Sequence, residues 1–167
     1  NNACKNAEEW KEKDMIYAIG VVKDSYLHSL CMVYGTEYCA SDEIYSNIRR
    51  RIKDSVINTP GVENEETKEL GHINKVDPLG ITYLRVRGMW GIENPTKVFN
   101  YVYTPNDNAD FNFMCIINDT KWKTFDNKDE LITLSKLHEH LNISDIKVKD
   151  PDNPAKLKPA KMITFYI

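Results

Sequence analysis

Four cysteines, Cys4, Cys31, Cys39 and Cys115, restrict the fold of this chain more than any other residues, because each bond between two of them would tie distant segments together. An even number suits two disulfides, and four cysteines allow three pairings. Cys31 and Cys39 flank a short segment containing Gly35, so the simplest framework is Cys31–Cys39 with Cys4–Cys115. The long closure would pin the N-terminus onto a later strand and stabilise by roughly 4–5 kcal/mol in the chain-entropy model. The crossed pairing, Cys4–Cys39 with Cys31–Cys115, would staple the first helix to the sheet. There is no C-x-x-C pair and no His at ligand spacing from Cys31 or Cys39, so no metal site is expected.

Disulfides persist in oxidising compartments. Two glycosylation sequons, Asn118-Asp119-Thr120 and Asn142-Ile143-Ser144, fit the same address. The chain opens Asn1-Asn2-Ala3 without an initiator Met, as after removal of a signal peptide. The expectation is a secreted, extracellular, glycosylated protein. No apolar run approaches the ~20 residues of a membrane helix, so no membrane span is expected. A net charge of −3 and a pI near 5.8 give no general affinity for nucleic acid, which is excluded as a partner on that ground.

A length of 167 residues suits a single domain over 1–167, and 41% hydrophobic residues argue for a folded core. Met15, Ile19, Val22, Tyr26, Leu30 and Val33 recur at spacings of three and four, which predicts a long first helix ended by Gly35. Ser41 caps a second helix with Ile44, Ile48, Ile52 and Val56 on its inner face. The acidic stretch 62–71 reads as a loop. Strands are expected over 81–87 and 97–103, with a hairpin of 111–117 and 120–125 turning at Asn118-Asp119. A later helix over about 126–141, a short strand around Ile146 and Val148, and a C-terminal strand from Met162 follow. The fold class is α+β: two N-terminal helices packed on an antiparallel sheet of about four to five strands.

Candidate chemistry is sparse. His138-Glu139-His140 cannot share a metal on one helix face, because residues two apart diverge by about 200°. His28 and His72 suit an acid–base pair, but nothing in the sequence brings them together. Arg49, Arg50, Arg51 and Lys53 suit an anionic partner, or a solvated helix face paired with the acidic 63–69 segment. Tyr83, Trp90, Phe99, Tyr101 and Tyr103 suit the core or the lining of an apolar cavity. Met89-Trp90-Gly91 places a Trp at a turn, where exposure marks contact sites.

Leu84-Arg85-Val86-Arg87-Gly88 resembles the Gln-x-Val-x-Gly loop of cystatins in Val86 and Gly88, and Lys121-Trp122 resembles their Pro-Trp loop in Trp122. The Gln, the Pro and the Gly that family carries ahead of its helix are absent. The resemblance implies a protease inhibitor as one alternative, and a secreted hydrolase using His28 or His72 is another. The leading expectation is a non-catalytic binding protein without cofactors. It would engage an extracellular protein or a small apolar ligand through Met89, Trp90, Tyr83, Tyr101 and Trp122.

Overall fold

The computed structural model describes residues 15–58, 71–73, 77–89 and 91–167. Cys4, Trp90 and the acidic loop lie outside them. The chain divides into two compact units, Asn1–Ser41 with Ile92–Ile167 and Asp42–Gly91.

The first unit is built on a five-stranded sheet of order β1-β2-β5-β7-β6. Strands β1 (Ile16–Lys23) and β2 (Tyr26–Tyr34) form an antiparallel hairpin where a long helix was expected. Asp24 and Ser25 turn it with φ of 49° and 68°, the left-handed pair that a two-residue hairpin turn requires. Tyr17 and Ile19 lie opposite Val33 and Cys31 in the register, so alternation places them all on one face. The helical spacing was a coincidence within a segment rich in β-branched and aromatic residues, which favour a pleated surface.

Next to the hairpin, β2 pairs in parallel with β5 (Asn112–Asn118), and β5 pairs antiparallel with β7 (Leu157–Tyr166). β6 (Asn142–Lys149) completes the sheet beside β7. Short helix α1 (Gly35–Tyr38) follows β2. Its Tyr38 packs with Phe99 against Val33, Met114, Ile116 and Val148 to form the core on one face. The other face gathers Tyr34, Ile117, Trp122 and Ile163, with Leu131 and Leu141 packed against them.

In the second unit, α2 (Asp42–Ile57) forms as its apolar spacing predicts. It packs against β3 (Gly71–Ile73), which pairs antiparallel with β4 (Leu84–Val86) in a separate two-stranded sheet.

The α+β class holds, but several elements differ from expectation. Residues expected as a strand over 97–103 begin as α3 (Pro95–Val98), where Asn94 accepts from the Thr96 amide at 2.9 Å and Pro95 fits the first turn. The second strand of the expected 111–125 hairpin is helix α4 (Asp119–Lys123), capped by Asn118, whose Oδ1 accepts from the Lys121 amide at 2.6 Å. The later helix, α5 (Lys128–Leu137), stops short of 141, and Asn142 opens β6.

The disulfide framework is also corrected. Cys31, Cys39 and Cys115 carry free thiols. Cys31 pairs in register with Met114 and Cys115 with Met32, so Cys31 and Cys115 point to opposite faces of the sheet. Burial pushes the Cys115 thiol up to about 11, far from the thiolate that forms disulfides.

Alkylation of the denatured, unreduced protein is expected to label Cys31, Cys39 and Cys115; a mass showing any of them blocked by one another would refute free thiols. Ile116→Ala, at a fully buried position, should cost about 2–5 kcal/mol in urea unfolding, and Ile44→Ala, on the half-open face of α2, clearly less.

Candidate functional site

Parallel neighbours β2 and β5 end side by side, and the chain leaving them shapes a polar pocket of about 550 Å³. In open sheets such carboxyl ends are a common place for ligands. Thr36 and Glu37 come from α1, Asn118 and Asp119 from the β5–α4 junction, and Lys158 from β7.

Glu37 is only 4% exposed, rare for a carboxylate. Its Oε1 lies 3.3 Å from Lys158 Nζ and accepts from Thr36 Oγ1 at 3.2 Å. Lys158 Nζ also donates to the Thr36 carbonyl at 2.7 Å, and Asn118 Nδ2 donates to Thr36 Oγ1 at 3.1 Å. Glu37 Oε2 is buried with no hydrogen-bond partner among the described residues. Burial holds the Glu37 carboxyl above its usual range, against the opposing pull of Lys158 and Thr36.

A second pocket, apolar and about 470 Å³, lies on the other face of the sheet beside Ile16, Phe113, Cys115, Trp122 and Phe125. Among the described residues no charged side chain lines it.

In the second unit, one face of the β3–β4 ribbon joins cation and ring. The Arg85 guanidinium sits 5.3 Å from the Tyr83 ring centre, and the His72 ring lies 5.5 Å from the same ring. Arg49, Arg50 and Arg51 are exposed along α2.

The described residues expected to bind are divided between the two units. Met89 is 97% exposed and Tyr83 is exposed, both in the second unit. Tyr101 belongs to the first unit, where its hydroxyl accepts from the Lys149 amide at 3.0 Å. Trp122 is 6% exposed and stacks on Phe125 at 6.1 Å, so it is part of a core and not an inhibitory loop tip. His28 lies in β2 of the first unit and His72 in β3 of the second. Sequence reading missed Glu37 and Lys158, which stand 121 residues apart and show no local motif.

The sequence pattern of the NgoPII restriction endonuclease family matches residues 1–149. The chain belongs to this family. It is 55% identical over 166 residues to the type II restriction enzyme NgoPII of Neisseria gonorrhoeae, covering 99% of this chain and 59% of that protein. The chain thus spans about three-fifths of the length of the curated relative it matches. No solved structure matches it.

Membership overturns the secreted, extracellular, glycosylated binding protein, together with the non-enzymatic class, the cystatin-like inhibitor, the secreted hydrolase and the exclusion of nucleic acid. The sequons are chance triplets in an Asn-rich chain. The Asn118 amide is used at both ends, its Oδ1 capping α4 and its Nδ2 donating to Thr36. Asn142, at the start of β6, loses its glycan assignment with the compartment. The charge argument failed because a net value averages Arg49–Arg51 with the acidic stretch that follows them in the sequence.

Nuclease centres that use divalent metals gather carboxylates around the ions. Among the described residues no three His, Cys, Asp or Glu side chains gather in that way. Glu37 is paired with Lys158. The described residues do not fit a metal centre, and no step of bond cleavage is assigned to them.

A raised carboxyl pKa means that ionised Glu37 weighs against folding above its ordinary range, and that the penalty disappears as pH falls. Lys158→Met should therefore lose roughly 1–3 kcal/mol in urea unfolding at pH 7, and much less at pH 4. Glu37→Gln should match or exceed the wild type at pH 7. An equal loss for Lys158→Met at both pH values would count against burial as the cause.

Proposed function

We propose that the protein carrying this chain is a type II restriction enzyme, which binds duplex DNA at a short recognition sequence and hydrolyses its phosphodiester bonds. The observation that carries the reading is 55% identity to NgoPII, maintained over 99% of the chain. Identity at that level across both units retains core and surface alike.

The distribution of charge supports it. Nucleic-acid affinity comes from cations placed against phosphates, and counterion release depends on those contacts and not on the protein's overall charge. Arg49, Arg50 and Arg51 are exposed on α2, and Arg85 and Arg87 are exposed at β4. A working restriction enzyme acts on DNA inside the cell, which accords with unbonded thiols at Cys31, Cys39 and Cys115.

Incubated with phage DNA and Mg²⁺, the protein should yield discrete fragments. Double digestion with NgoPII should add no further bands, since the reading extends to a shared recognition sequence. Uncut DNA, or a smear without defined ends, from a folded preparation would overturn the endonuclease reading; extra bands in the double digest would overturn the shared sequence alone.

A further inference from the structure

We infer that the β3–β4 ribbon is the element that enters the major groove of the DNA, and that Arg85 reads a base edge there. This inference rests on the endonuclease reading and adds to it the surface and the residue that determine specificity.

Shape is the first support. β3 and β4 form a two-stranded antiparallel sheet of their own, and a major groove about 12 Å wide admits a two-stranded ribbon. Chemistry is the second. His72 pairs in register with Arg85, and the Tyr83 ring lies against both side chains, so these residues share one face. Arg87 follows two positions later, on the side that alternation assigns to Arg85. Arg85, Arg87 and Tyr83 are exposed.

Charge is the third support, and it selects DNA as the occupant. From Pro78 to Ile92 the sequence has no Asp or Glu. Asp77, the nearest acid before this stretch, turns its carboxylate onto the backbone, accepting from the amides of Leu79 (3.2 Å), Ile81 (3.1 Å) and Thr82 (2.7 Å). Nothing acidic in the ribbon's second strand therefore opposes a phosphate backbone. Exposed Leu79, Ile81 and Met89 accompany the cations, and apolar side chains in a groove meet thymine methyl groups.

The two arginines differ in role. The Arg85 guanidinium is planar and rests near an aromatic ring, which limits its orientations before DNA arrives. A held fork suits the O6 and N7 acceptors of guanine. Arg87 lies beyond the strand end, where a cation meets the sugar-phosphate edge.

The test measures affinity for a short duplex carrying the cleavage sequence, mapped from wild-type fragment ends, against a scrambled duplex over a range of salt. Arg85→Ala should reduce the preference for the cleavage sequence on the order of 10- to 100-fold and barely change binding to scrambled DNA. Arg85→Lys should keep the non-specific affinity and still lose the preference, because the charge remains and the fork is gone. Arg87→Ala should weaken both duplexes alike and lower the salt slope by about one. An unchanged preference in Arg85→Ala overturns the inference, as does an equal loss on both duplexes. A change from dimer to monomer in Arg85→Ala with the preference intact would mark the ribbon as an interface between copies and overturn it too. Discrete wild-type fragments with any of these results leave the endonuclease reading standing; a wild type that neither binds nor cuts DNA removes that reading itself.

Discussion

The parallel pairing of β2 with β5 is the constraint on which the first unit depends. It joins Ser29–Val33 to Asn112–Ile116, segments more than 75 residues apart in sequence. Among the described residues, one side of this seam carries the hairpin partner β1 alone, and the other carries β7 and β6. A parallel pair needs a long connection, and here that connection carries α1, the whole second unit and α3. Closing so long a loop gains nothing until the strands meet, so formation of this seam is a natural late step in folding. Its stability comes from Cys31, Val33, Met114 and Ile116, which alternate onto one buried face from both strands.

The same seam creates the polar pocket. Parallel strands end on the same side, so the residues that leave β2 and β5 meet there. Asn118 closes β5 and starts α4, and also reaches Thr36 on α1. Lys158 arrives from antiparallel β7 and sets its ammonium between the Thr36 carbonyl and the Glu37 carboxylate. Glu37 stays buried because cation and hydroxyl share one of its oxygens, while the other remains without a partner. A half-satisfied buried carboxylate is expensive, and its raised pKa records that cost.

Legibility followed the range of the interactions. The helix α2 was readable because its apolar spacing and its position after Ser41 are local. β7 was foreshadowed by the β-prone C-terminus. The first hairpin was misread because its six marked residues satisfy helical spacing, and only the left-handed pair Asp24-Ser25 decides between the periods. α4 was misread because Asn118-Asp119 serves a hairpin turn and a helix cap equally well in sequence; the bond to Lys121 decides. Glu37 and Lys158 were illegible, since no local rule connects residues that meet only after the sheet has formed. Tyr83 was assigned to the core or an apolar cavity and is exposed instead, and nucleic acid was excluded as a partner on net charge alone.

That last error has a physical root. Net charge controls the field far from a protein, where ions screen it within about 8–10 Å. Affinity for DNA is decided inside that distance, by single cations against single phosphates. In the second unit the charges are unevenly spread: Glu63, Glu65, Glu66 and Glu69 cluster in sequence between the arginines of α2 and the pair Arg85 and Arg87. The second unit sums to zero within a chain of net charge −3, and can still present a basic face. A slightly negative total then has a use. It weakens long-range attraction to every polyanion, while leaving a short-range base contact, as proposed for Arg85, to discriminate once a duplex is engaged.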